Sequence, residues 1–160
     1  MGNERFTFFW GGPFSQWHQS YFTVDGEVYS HAEQYMMAEK ARLFGDAATW
    51  ELIHMNLDPK RQKALGRQVK NFDEATWKAA ARDIVRKGNM AKFGQNPHLH
   101  SLLKATAGTT LVEASPWDSL WGIGLRENDP RARKRESWLG ANWLGQTLTE
   151  VREELAGGTR

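Results

Sequence analysis

The chain has 160 residues, eight of them tryptophan and none cysteine, with a formal net charge of +2. That length suits one domain with a core of its own, and the lack of cysteine excludes disulfides and thiolate chemistry. No apolar run approaches the ~18 residues of a membrane helix and no charged-then-apolar leader opens the chain, so a cytoplasmic protein without a membrane partner is the expectation. Arg5 to Trp10 reads as a strand, and Gly11-Gly12-Pro13-Phe14-Ser15-Gln16-Trp17 after it has no regular structure. Its aromatics either pack under the loop or line a pocket. Phe22 to Tyr29 is a hairpin turned at Asp25-Gly26, and it delivers the chain into a helix over residues 30–44. Gly45 ends that helix and Asp46 caps the next, which runs to near Asn56. Asp58-Pro59 opens a third helix, Asp73 a longer one through about Met90, and Asn96-Pro97 another that ends near Gly108. Thr109 to Glu113 is a short β segment, and Arg126 to Arg135 reads as an exposed charged loop. The last helix spans Asn142 to about Leu155 and buries Leu144, Leu148, Val151 and Leu155. The sum is a mainly α, α+β fold over residues 1–160, with about six helices and a small N-terminal β-hairpin or sheet.

Ser30 with Glu33 three residues on has the form of a capping box. At about 3.6 residues per turn, Ala32, Met36, Leu43 and marginally Phe44 make the apolar stripe, while Glu39 and Arg42 face solvent. Glu33 and Lys40 lie above one another at the stripe's edge. A carboxylate and an ammonium beside a Met-rich stripe lose hydration, and they persist when paired or when chemistry needs them. Glu33 is therefore either the cap of its own helix or a functional acid.

Trp77, Ala80, Ala81, Ile84 and Gly88 share one face of the long helix, which makes Trp77 a core residue unless a site needs it. Residues 60–104 hold eleven Lys or Arg against three acids, so one side should attract anions, although a solvated face accounts for such a run too. Residues 114–125 set Trp117 and Trp121 on either side of Asp118, with Gly122 and Gly124 where the backbone can approach a ligand. Ser115 and Asp118 equally suit the capping of a single turn. The histidines are scattered, and His98 and His100 cannot face the same way on a helix. Gly122-x-Gly124 lacks the third glycine of a dinucleotide loop, so neither a metal nor any other cofactor is expected.

Several motifs in order resemble one family over nearly the whole chain, from about residue 6 to 155. They are Phe14-Ser15-Gln16-Trp17, His31-Ala32-Glu33-Gln34-Tyr35-Met36-Met37-Ala38-Glu39-Lys40-Ala41, Leu65-Gly66-Arg67, Phe72 to Trp77, Asn89-Met90-Ala91-Lys92-Phe93, Leu111 to Ser115, Asp118, Trp121 to Gly124, and Asn142-x-Leu144-Gly145. Together these resemble the NADAR family, also called YbiA-like. The resemblance implies an N-glycosidase that hydrolyses the bond between a ribose anomeric carbon and an amine nitrogen. In one branch the substrates are ribosylamino-pyrimidine phosphates, intermediates of riboflavin synthesis. In another, the enzyme removes ADP-ribose from guanine in nucleic acid and reverses the action of an ADP-ribosyltransferase toxin. The family's catalytic glutamate matches Glu33, its tryptophan Trp77 and its aspartate Asp118. Gly122-Ile123-Gly124 and the charged insertion 126–137 depart from the shorter riboflavin-type pattern, which favours the ADP-ribosyl branch.

Cleavage of a ribosyl C–N bond passes through an oxocarbenium-like transition state and needs a proton for the departing nitrogen. Two carboxyls in different environments can divide these tasks. Glu33 is expected to handle the proton or the attacking water, and ionised Asp118 to bind the ribose or stabilise positive charge, the two meeting across one cleft. Lys40 offers either an ion pair to Glu33 or an amine that traps the opened sugar as a Schiff base. Arg67 and Lys92 are candidates for the phosphates, and Trp17, Trp117 and Trp121 for stacking on the heterocycle. Phe14, Ser15, Gln16 and Gly122 complete the expected binding set. A non-catalytic module that binds ADP-ribose or modified nucleic acid is the alternative from another class.

Overall fold

A computed structural model describes residues 3–158 of the chain. In order the elements are β1 (Phe6–Phe9), β2 (Gln19–Val24), β3 (Glu27–His31), α1 (Ala32–Leu43), α2 (Ala47–His54), α3 (Pro59–Gly66), α4 (Glu74–Gln95), α5 (Pro97–Lys104), β4 (Thr110–Glu113) and α6 (Trp143–Glu153). The fold is thus α+β, with six α-helices among the described residues. Among the described residues no helix is long and apolar enough to cross a membrane. Two compact parts, residues 16–97 and residues 1–15 with 98–160, are taken separately.

In residues 16–97, α1 packs against α2, α3 and α4. It is enclosed, so Ala32 through Ala38 and Ala41 are all buried, and the single stripe expected from periodicity is replaced by burial on several sides. Leu43, placed on that stripe by spacing, is 39% exposed. Gly88 permits the approach of α4: a Cβ there would lie 2.6 Å from the Tyr35 ring. That ring meets Tyr29 edge-on at 5.0 Å between centroids and cannot move aside cheaply.

Local signals set the helix starts. Asp46, Asp58 and Asp73 accept hydrogen bonds from the backbone N–H groups of Thr49, Lys60 and Thr76, each cap contributing about 1 kcal/mol. Nothing breaks α4 at Met90, so it continues to Gln95, where Asn96-Pro97 stops it. Gln95 then ties itself to both backbone groups of Thr23 on β2. The hairpin is longer than its sequence signal, pairing Gln19 with His31, with an irregularity in register before Phe22.

The capping box is not formed as expected. His31 is the N-cap of α1, which makes Gln34 rather than Glu33 the third helical residue. The Gln34 side-chain oxygen accepts from the Ser30 N–H at 2.7 Å, and its amide donates to the Ile53 carbonyl at 3.0 Å. Glu33 is tied in through its backbone, whose N–H donates to the Gln16 carbonyl at 2.9 Å.

In residues 1–15 with 98–160, β1 and β4 pair in parallel, from Phe6 with Thr110 to Phe9 with Glu113. Asn142, left-handed at φ 55° and fully buried, imitates a further strand: its side chain accepts from the Glu113 N–H and donates to the Leu111 carbonyl, both at 3.0 Å. Gly145 lets α6 close on β4, since a Cβ would lie 2.2 Å from the Leu111 carbonyl. Residues 126–137 are more than an exposed loop. They form two short 3-10 turns, and Ala132 is buried with Val112, Ile123 and Leu125, against which Phe6, Phe8 and Trp138 pack. Two apolar anchors, Ala132 and Trp138, hold a segment that its charges alone would leave in solvent.

Candidate active site

The first cluster lies within residues 16–97 on α1. Glu33 is 7% exposed. Lys40, two turns on, senses it directly: burial lowers the ammonium's pKa, the Glu33 carboxylate raises it, and Arg67 lowers it again. The net direction is down, toward a more readily available neutral amine. The Lys40 nitrogen stands 4.6 Å from the centre of the Phe72 ring and 5.6 Å from that of Trp77. Trp77, 8% exposed, is therefore both a core residue and a wall beside Lys40. Phe72, 46% exposed, is a second wall beside Lys40 from the segment before α4 and was not singled out by sequence. Its signal was only its place in the Phe72 to Trp77 motif.

Gln16 is pinned between two helices. Its side-chain oxygen accepts from Asn89 at 2.9 Å and its amide lies 3.8 Å from the Met36 sulfur. Asn89, fully buried on α4, is a second residue that sequence reasoning did not select. Trp17, 43% exposed, has the Lys63 ammonium 5.9 Å from its ring centre. Lys92 is not on the exposed basic face: it is completely buried, and burial pushes its pKa down to about 7. Burial, with the charge of Lys92 as a smaller effect, holds the His18 and His31 imidazoles below their ordinary range. Arg67 is exposed.

The second set lies in residues 1–15 and 98–160. Asp118 organises its own loop, one carboxylate oxygen accepting from the N–H groups of Leu120 at 2.9 Å and Trp121 at 2.8 Å. Segment 119–123 is laced by backbone hydrogen bonds to 139–144, including Leu139 to Ile123 and Asn142 to Gly122. Gly122 is tight against its own chain, a Cβ meeting the carbonyls of Asp118 and Glu113 at 3.0 Å. Trp121 stacks edge-on with Trp143 at 5.4 Å. Phe14 packs edge-on against Phe9, and the Ser15 N–H closes a short turn onto Gly12. Trp117 is 78% exposed, and the Arg126 guanidinium stands 5.9 Å from both its ring centre and that of Trp10, itself 53% exposed.

The NADAR domain model matches residues 8–156. The chain belongs to the NADAR family. Among NADAR proteins it is similar to N-glycosidase R617 of Acanthamoeba polyphaga mimivirus, 40% identical over 167 residues, covering 96% of this chain and 98% of that one. It is also similar to N-glycosidase YbiA of Escherichia coli K12, 32% identical over 145 residues, covering 91% and 82% of the two chains. The NMR structure of E. coli YbiA superposes with a TM-score of 0.79 at 29% identity, covering 99% of this chain and 89% of that one. The protein is accordingly an enzyme of this NADAR class, a hydrolase of N-glycosidic bonds, and not a non-catalytic binding module.

Proposed function

We propose that the protein hydrolyses the bond between the ribose anomeric carbon and the guanine nitrogen in ADP-ribosylated nucleic acid. The observation that carries the chemistry is a buried carboxylate, Glu33, whose charge acts on a half-buried amine, Lys40, beside the Phe72 and Trp77 rings. Glu33 moves the proton that the departing guanine nitrogen needs, or takes one from the attacking water, as positive charge develops on the sugar. Asp118 is the second acid. Arg67 has the charge and exposure to hold a phosphate.

The lowered pKa of Lys40 favours a second route through the same groups. The lone pair of the glycosidic nitrogen expels the ring oxygen, which leaves as a hydroxyl after taking a proton, and an iminium remains between guanine and the anomeric carbon. Neutral Lys40 adds to that carbon. Its proton passes through Glu33 to the guanine nitrogen, guanine departs as the free amine, and the sugar stays on Lys40 as an imine. Water releases the aldehyde and regenerates the amine.

A substrate carried on nucleic acid is supported by Arg126 beside the exposed rings of Trp10 and Trp117, a surface suited to unpaired bases and phosphates. Such a substrate is made by an ADP-ribosyltransferase acting on DNA, which is the functional partner this reading implies. The test is incubation with a single-stranded oligonucleotide bearing ADP-ribosylated guanine and, separately, with ribosylamino-pyrimidine phosphates. Release of ADP-ribose with restored guanine is expected. Cleavage of the pyrimidine compounds alone would assign the protein to the riboflavin-intermediate reaction instead.

A further inference from the structure

The face of α1 turned away from Glu33 and Lys40 borders a cavity of about 570 Å³ within residues 16–97. At ~100° per residue, Tyr35, Glu39 and Arg42 point to the far side of the helix from Glu33 and Lys40. Tyr29 and Tyr35 line the cavity with Trp50, whose ring is held by stacking on His54 at 3.8 Å. The two tyrosines are 3% and 2% exposed and meet edge to face at 5.0 Å. Among the described residues neither hydroxyl has a hydrogen-bond partner, although both side chains are buried.

The carboxylates around them are unequally satisfied. Asp46 accepts from Thr49 and Lys70, Asp25 pairs with Lys87 at 3.2 Å, and Glu39 with Arg42 at 3.5 Å. Glu27 and Glu51 also line the cavity and have no cationic partner among the described residues. The excess negative charge is felt inside: burial, then Glu39 and Glu27, push the Tyr29 phenol up to about 12.

We propose that this cavity is a binding site for a small organic cation, an alkylammonium or guanidinium compound, held between the Tyr29, Tyr35 and Trp50 rings and the Glu27 and Glu51 carboxylates. The aromatic walls attract a cation through their ring faces, the unpaired phenol oxygens accept its N–H groups, and the two glutamates neutralise it. The volume lies in the ~300–1,000 Å³ range of small-molecule sites. Nothing in the site requires the N-glycosidase reaction, whose groups stand on the other face of the helix.

The test is calorimetric titration of the full chain, at constant ionic strength, with spermidine, agmatine and choline as alkylammonium, guanidinium and quaternary probes. Saturable one-to-one binding of at least one probe is expected. It should weaken roughly tenfold in the Glu27→Gln/Glu51→Gln double variant and several-fold in Tyr35→Phe. Glu33→Gln should bind as the parent does, and circular dichroism should show every variant folded. No saturable heat with any of the three, or binding that the double variant leaves unchanged, would overturn the proposal.

Discussion

Glu33 and Lys40 face one side of α1, and the carboxylate strengthens the amine's hold on its proton while burial, the larger effect, and Arg67 loosen it. A lysine so placed has more neutral amine at a given pH than an ordinary one. Borohydride added during turnover is therefore expected to leave ADP-ribose covalently on Lys40, read by peptide mass spectrometry, with no adduct in Lys40→Arg. The rising limb of activity should lie at lower pH than free lysine would give. If the parent enzyme turns over without any trapped adduct, the imine route is wrong and direct hydrolysis by Glu33 stands.

Lys92 makes an opposite use of burial. Its folded pKa of about 7 lies below the ordinary value of 10.5, so between the two the unfolded chain binds more protons than the folded one. Its contribution to stability therefore improves as pH rises through this window and is least favourable below it. Lys92→Met is expected to flatten the slope of stability with pH, measured by urea unfolding across this window. Should turnover fall in the same variant, Lys92 serves the substrate at the expense of stability. An unchanged slope in Lys92→Met would show instead that this amine does not set the pH dependence.

Asp118 holds the N–H groups of Leu120 and Trp121 through one oxygen. Asparagine can keep that acceptor and lose the charge. Asp118→Asn is expected to melt within a few degrees of the parent yet lose at least ~10-fold in turnover, whereas Asp118→Ala should lose both, by ~1–2 kcal/mol in stability. Full activity in Asp118→Asn would reduce the residue to its role in the loop.

Trp10 and Trp117 stand exposed beside Arg126. Replacing either ring by alanine should raise KM for an ADP-ribosylated oligonucleotide by ~5-fold or more, at ~1–3 kcal/mol per stacked base. KM for the free ADP-ribosylated nucleoside should not change. Equal loss on both substrates would move these rings from nucleic-acid binding to the nucleoside itself.

Most helix starts were legible because they are local: an Asp, a following Thr or Pro, and a run of periodic apolar residues fix α2, α3 and α4 at Asp46, Asp58 and Asp73. The capping box at Ser30 was misread by one position, since the hairpin carries on through His31 and makes Gln34 the side chain that reaches back. The parallel pairing of β1 with β4 was not legible, because Phe6 and Thr110 are far apart in the chain and their alternation names no partner. Periodicity also failed on the first turns of α1, where Glu33 and Gln34 are buried among three neighbouring helices, although Arg42 stays exposed as its spacing predicts. The residues matching the family pattern pointed to Glu33, Trp77 and Asp118, and helix spacing alone put Lys40 beside Glu33. They gave no sign of Phe72 over Lys40, or of Asn89 on Gln16, which arise only when α3, α4 and the loop before the hairpin fold onto α1.

The central claim is tested most directly by the turnover of Glu33→Gln on single-stranded DNA bearing ADP-ribosylated guanine. Because Gln34 closes the N-terminal turn of α1 and Glu33 is tied there through its backbone N–H, the variant should fold and bind substrate as the parent does. The account predicts a fall in kcat of ~10²–10⁴-fold with KM little changed. Parental kcat in this variant would contradict it.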